Sequence, residues 1–177
     1  MILQAGSPSS ILGAVTIVDI RSQAAKDAER VRDEFWDGSL PVDPVRIAKA
    51  VGIRVVDVAL PKDVSGAIKK VGDNDPVIYL EKTDHANRKR FSCAHELGHY
   101  FENAGKGDFD YIDYRNGGTS PREQYANEFG ARLLMPEAEV KALVNKYSGD
   151  LKGVDLAIEA RRFGVSALAL QLRIRNS

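Results

Sequence analysis

Residues 95–99 read His95-Glu96-Leu97-Gly98-His99, and the apolar company of that pentapeptide restricts what the chain can become. Phe91, Ala94, Leu97, Gly98 and Phe101 predict a largely apolar helix running from Thr83 or Asp84 to about Glu102. A buried helix that carries two imidazoles and a carboxylate needs partners for them, because unpaired polar groups are costly in an apolar setting. A four-residue spacing turns a helix through about 400°, so both rings leave one face about 6 Å apart along the axis. Two imidazoles placed this way share one metal ion, with bonds of about 2.0–2.1 Å. Glu96 is offset by about 100° and is too near in sequence to be the third ligand. It reaches water on the ion and is the candidate general base, the metal lowering the pKa of that water toward about 7. The chain has 3 histidines, and two of them fall in this one pattern. A pair of ordinary surface histidines is the poorer explanation.

A third ligand has to come from elsewhere. Glu102 shares the face but lies about 10.5 Å from His95 along the axis, too far for one ion. The metzincin arrangement would need a histidine six residues after His99, where the chain has Gly105. The next helical segment offers Glu123 and Asn127, four apart on one face. Glu123 completes a His₂Glu set, and Asn127 is placed to hydrogen-bond one of the histidines. Glu128 is the competitor, rotated about 140° from Glu123.

The surrounding pattern alternates between helix and strand signals. Asp19 to Trp36 is a charged amphipathic helix with Ile20, Ala24, Val31, Phe35 and Trp36 as its apolar stripe. Asp43 caps a short helix with Pro44 at its first position. Residues 53–58, 65–71 and 76–80 read as three short strands. Residues 103–121 read as a long loop, of the kind that forms lids or substrate walls. Ser120-Pro121 opens the helix carrying Glu123, which could close a capping box. Pro136-Glu137 opens the next helix, and two helices broken near Gly164 end the chain.

Composition removes several classes of function. The 177 residues carry 25 Lys+Arg and 25 Asp+Glu, a formal net charge of zero, which argues against bulk attraction to nucleic acid or anionic membranes. The single cysteine, Cys93, excludes a disulfide framework and a Cys-based zinc finger, and reads as a small buried residue. No apolar run reaches membrane-spanning length. Met1 to Val18 lacks the basic start of a signal peptide, and reads as a flexible or strand-like lead-in to a cytoplasmic protein.

Arg90-Phe91-Ser92-Cys93-Ala94-His95-Glu96-Leu97-Gly98-His99, followed by Glu123-Gln124-Tyr125-Ala126-Asn127-Glu128-Phe129-Gly130-Ala131-Arg132-Leu133-Leu134-Met135-Pro136, resembles the two signature helices of the ImmA/IrrE family of zinc metallopeptidases. Gly130 stands where that family usually has alanine. The resemblance covers roughly residues 41–147. It implies one zinc ion per chain on His95, His99 and Glu123, with Glu96 as base, and an α+β fold in which a small, mostly antiparallel sheet packs on a helical zincin-like core. It also implies a regulatory role, the site-specific cleavage of a helix-turn-helix repressor. The expected organisation is an N-terminal lead-in and helix over residues 1–40, a metallopeptidase domain over 41–147, and a C-terminal helical hairpin over 148–177.

That hairpin has the rhythm of a helix-turn-helix, with Gly164 at the turn and Ser166 as cap. Four arginines stand against one glutamate from Glu159 onward. Its second helix, with Ala167, Leu168, Ala169, Leu170 and Leu172, is too apolar to read base edges. Packing on the peptidase domain or a partner is therefore expected, and direct nucleic-acid binding is not. A non-cleaving, metal-stabilised repressor-binding module and a DNA-binding regulator are the alternative readings. Among lesser residues, Arg88, Lys89 and Arg90 read as a solvated face, with Arg90 able to orient an acidic group. His85 reads as a helix-start residue. Tyr100, Tyr111 and Tyr114 are candidate donors to a tetrahedral oxyanion.

Overall fold

Thr16 opens the first helix, α1 (Ile17–Phe35), two residues before the charged stretch begins. Its hydroxyl accepts from the Asp19 amide at 3.2 Å, and the Asp19 carboxylate accepts from the Thr16 amide at 3.0 Å. This reciprocal cap satisfies two amides that the helix leaves free. The computed structural model describes residues 16–72, 74–103, 107–114 and 118–176, so most of the expected lead-in lies outside the described residues. Ile17 and Val18 are already helical. The buried face of α1 is Ala24, Ala28 and Val31, with Ile20, Phe35 and Trp36 at its margins. Small side chains let α1 come close to α4 (Pro121–Leu134), and Tyr125 donates its hydroxyl to Asp27 at 2.7 Å across that contact. In α2 (Pro44–Ala50), Asp43 Oδ1 accepts from the amides of Val45 and Arg46, as the capping signal predicts.

The sheet has four strands, β1 (Arg54–Val58), β2 (Val64–Lys70), β3 (Val77–Glu81) and β4 (Phe109–Tyr114), in the order β1-β3-β2-β4. β2 pairs antiparallel with β3 and with β4, whereas β1 pairs parallel with β3. The fold is α+β with a mixed sheet. β4 is a correction to the sequence reading, which placed an irregular loop there. Phe109, Tyr111 and Asp113 alternate onto the helix-covered face, while Asp110 and Ile112 face outward. Aspartates are poor strand formers, and they mask an alternation that the pairing with β2 stabilises.

α3 (Ala86–Glu102) crosses the inner face of the sheet, and every residue from Ser92 to His99 is buried. On its other side it packs on α4. Where the two helices meet, a β-carbon on Gly98 would fall 2.8 Å from Ala126 Cα, and one on Gly130 would fall 3.2 Å from the His95 amide nitrogen. Gly98 therefore needs glycine for this close approach, whereas at Gly130 a β-carbon would require the neighbouring backbone to give by only a few tenths of an ångström. The chain continues through α5 (Glu137–Lys146), α6 (Gly153–Phe163) and α7 (Ala167–Arg175). Gly164, at φ +66°, makes the left-handed turn between the last two, and Ser166 caps α7. Asn87 Nδ2 donates to Val165 O at 3.0 Å, which ties that turn to the start of α3. Among the described residues no helix is long and apolar enough to cross a membrane.

Candidate metal centre

The i,i+4 spacing on α3 and the first turn of α4 bring three side chains to one point. His95 Nε2 lies 3.0 Å from His99 Nε2 and 3.3 Å from Glu123 Oε2, and His99 Nε2 lies 3.3 Å from Glu123 Oε1. Both imidazoles are buried, while Glu123 keeps 19% of its side chain exposed and marks the open side. Glu123 fills two roles in the sequence but only one here. Its amide takes the Ser120 cap at 3.3 Å, while its carboxylate turns to the histidines instead of closing a capping box. Gly118 lies against Glu123, where a β-carbon would overlap the side chain. Glu128 faces away and pairs with Arg132 at 2.7 Å.

Asn127 lies one turn beyond Glu123, its Oδ1 3.1 Å from His95 Nδ1. An amide oxygen only accepts, so Nδ1 carries the proton and Nε2 keeps its lone pair toward the cluster. Nitrogen and carboxylate lone pairs at 3.0–3.3 Å repel one another unless positive charge sits among them. Around an ion with bonds of about 2.0–2.1 Å, the edges of a ligand tetrahedron are about 3.3–3.4 Å long. The donor set thus fits one divalent cation held by three protein groups, which leaves a coordination position for a non-protein ligand.

Glu96 is fully buried, and neither of its carboxylate oxygens has a hydrogen-bond partner among the described residues. Burial first, then the charges of Asp113 and Glu123, pushes its carboxyl well above the ordinary value of 4.5. Gly66 on β2 makes room for it, since a β-carbon there would lie 2.8 Å from Glu96 Oε1.

The sequence reading missed Asp113. It is buried, accepts from Ser65 Oγ at 2.5 Å, and has a carboxylate oxygen within 4.8 Å of ligating atoms of His95 and Glu96. Arg88 Nη2 in turn donates to Ser65 Oγ at 3.0 Å. The only signal in the sequence was the alternation Phe109, Tyr111, Asp113. Tyr111 stacks on His99 with ring centroids 4.8 Å apart, and the Arg122 guanidinium lies over Tyr111. Tyr100 packs edge-on against Phe101 and Phe109, and the Tyr114 side chain lies outside the described residues.

Arg88, Lys89 and Arg90 are not a merely solvated face. Lys89 pairs with Asp57 at 2.7 Å, and Arg90 donates to Val42 O at 2.8 Å while lying beneath Gly164. They fasten α3 to the sheet, to the segment before α2 and to the C-terminal hairpin. Among the described residues Arg90 pairs with no acid of the site. His85 accepts from the Asn87 amide and caps α3. Cys93 is buried, and burial pushes its thiol up, which leaves it unreactive.

A helix carrying two histidines, laid on a mixed sheet and crossed by a second helix that supplies a carboxylate, defines a metallopeptidase-type protein. The family described as the IrrE N-terminal-like domain, Peptidase_M78, matches residues 48–175, and the chain belongs to it. No curated protein matches the chain. Among solved structures, a Mycobacterium tuberculosis transcriptional regulator shares the fold at a TM-score of 0.59 and 17% identity. The alignment covers 88% of this chain and 50% of that one, so the chain spans about half the length of the regulator.

Proposed function

We propose that the chain is a zinc-dependent endopeptidase, with His95, His99 and Glu123 as the ligands of one ion and Glu96 as the general base. The observation that carries this reading is the meeting of three lone-pair donors within 3.0–3.3 Å beside a buried carboxylate that has no partner in the fold. A structural site would close with a fourth protein ligand and would have no use for such a carboxylate. When bound, the ion polarises the scissile carbonyl, acidifies water toward a pKa of about 7, and offsets the burial that disfavours ionised Glu96. Glu96 takes a proton from the attacking water on a carboxylate oxygen and returns it to the leaving amine. Asn127 holds the His95 ring and its tautomer.

The proposed substrate is a helix-turn-helix repressor in the cytoplasm. Support comes from the family resemblance, and the M. tuberculosis neighbour is itself a transcriptional regulator. In this reading an N-terminal lead-in and helix over 1–40 precede the metallopeptidase domain of residues 41–147, which carries the site, and the helical hairpin over 148–177 packs on it.

Metal removal tests the ligand set. The purified protein should hold about one zinc per chain by elemental analysis. A chelator should abolish cleavage of a repressor encoded beside it, and added zinc should restore it. His99→Ala should lose more affinity than the roughly 10–100-fold typical of outer partners. A protein that binds the repressor with zinc in place and never cuts it is a binding module instead.

Gly66→Ala tests the placement of Glu96. The clashing atom is the tip of a movable side chain, so the fold should survive while the carboxylate shifts. Misplacement by about 1 Å can cost on the order of 100-fold. Cleavage per bound zinc should fall at least tenfold, with zinc content unchanged.

A further inference from the structure

The C-terminal hairpin has a feature that packing leaves unused. On α7, Leu168 is 65% exposed and Leu172 is 48% exposed, four residues apart on one face. They form a wall of a groove of about 560 Å³ that also includes Arg88, Phe91, Val165 and Ala169. That volume falls within the usual range for ligand-sized clefts. The walls are fixed in advance, because Asn87 bonds Val165 O and Arg90 lies beneath Gly164. Phe91 joins the groove to the candidate centre. It lies one helical turn before His95, and its ring centroid is 6.3 Å from that of His95.

Resting on the endopeptidase reading, we propose that this groove is a specificity subsite that takes a large apolar side chain of the peptide being cut. One helical turn is about 5.4 Å, and an extended peptide advances about 3.3 Å per residue. A chain whose scissile bond lies at the centre therefore reaches Phe91, the near wall of the groove, within two or three residues of that bond. The second helix of the helix-turn-helix-like pair thus grips polypeptide rather than DNA. Its exposed leucines, unsuited to base edges, suit an aliphatic or aromatic side chain.

The test compares the wild type with a Leu168→Ser/Leu172→Ser double variant, which should fold normally because both side chains face solvent. Zinc-loaded proteins are incubated with a proteome-derived peptide library, and cut sites are read by mass spectrometry. The wild type should enrich Leu, Phe, Met or Ile at least threefold at one position within three residues of the cut, and the double variant should lose that enrichment. Equal profiles for the two proteins, or a wild-type profile without apolar preference, overturn the proposal. The same library is also passed over immobilised Glu96→Gln protein with and without the leucine substitutions, and retained peptides are sequenced. Apolar peptides held only when the leucines are present support the groove even if the wild type cuts nothing, in which case the endopeptidase reading alone falls. Identical retained sets overturn the proposal, as does a dimer in sedimentation that the double variant abolishes, since a second copy would then occupy the groove.

Discussion

Glu96→Gln is expected to lower cleavage by about 10²–10⁴-fold while leaving one zinc per chain in place. The amide has the size and shape of the carboxylate but cannot take a proton from water. Because the Glu96 oxygens have no partner among the described residues, the substitution breaks no hydrogen bond of the fold. It also removes a group whose ionised form burial disfavours. The linkage sign follows. An acid whose pKa is raised on folding binds more protons folded than unfolded above pH 4.5, so it costs the native state stability as the pH rises through that value. Metal-free Glu96→Gln should therefore melt above the metal-free wild type at neutral pH, with the difference shrinking to nothing below about pH 4. The paired measurement is a cleavage assay on zinc-loaded protein and thermal melts of stripped protein against pH. A variant that cuts at the wild-type rate removes Glu96 from the proton transfer. A variant that melts lower at pH 7 means the carboxylate is held by contacts worth more than its burial costs.

The parts of this molecule legible in its sequence are those set by short-range geometry. Asp43-Pro44, Ser120-Pro121 and Gly164 with Ser166 each mark a helix end within a residue or two, because capping and turn chemistry act over three or four positions. The placing of His95 and His99 on one face is equally local. Pairing between distant segments was not legible. Nothing in residues 53–80 says that β3 inserts between β1 and β2, which makes the β1–β3 pair parallel. β4 was hidden because its acidic residues obscure a two-residue period whose stabilisation comes from β2, about forty residues away. With β4 went Asp113 and the Tyr111 stack on His99. Arg88, Lys89 and Arg90 were misjudged for a related reason. A charge run looks solvated until the chain folds its partners, Ser65, Asp57 and Val42, against it.

Gly98→Ala should separate local propensity from the long-range contact that assembles the site. By propensity alone, alanine inside a helix is favoured over glycine by about 0.8–1.0 kcal/mol. The new β-carbon would lie 2.8 Å from Ala126 Cα, 3.2 Å from Ala126 O and 3.2 Å from Phe129 Cβ. Two of these are backbone atoms of a packed helix, so no rotamer change relieves the contact, and α3 and α4 must move apart. Overpacking of this kind typically costs about 1–3 kcal/mol. Set against the propensity gain, the variant should lose up to about 2 kcal/mol, read as a lower melting temperature. The effect on metal binding should be larger. Gly98 adjoins His99, and Ala126 adjoins Asn127 one turn from Glu123, so the movement falls between the two helices that supply the donors. Metal–ligand distances tolerate only about 0.2 Å, and a shift of a few tenths of an ångström between α3 and α4 should weaken zinc at least tenfold in competition with a chromophoric chelator. A Gly98→Ala protein that melts higher and binds zinc as tightly as the wild type would mean that the approach of these two helices does not set the donor geometry.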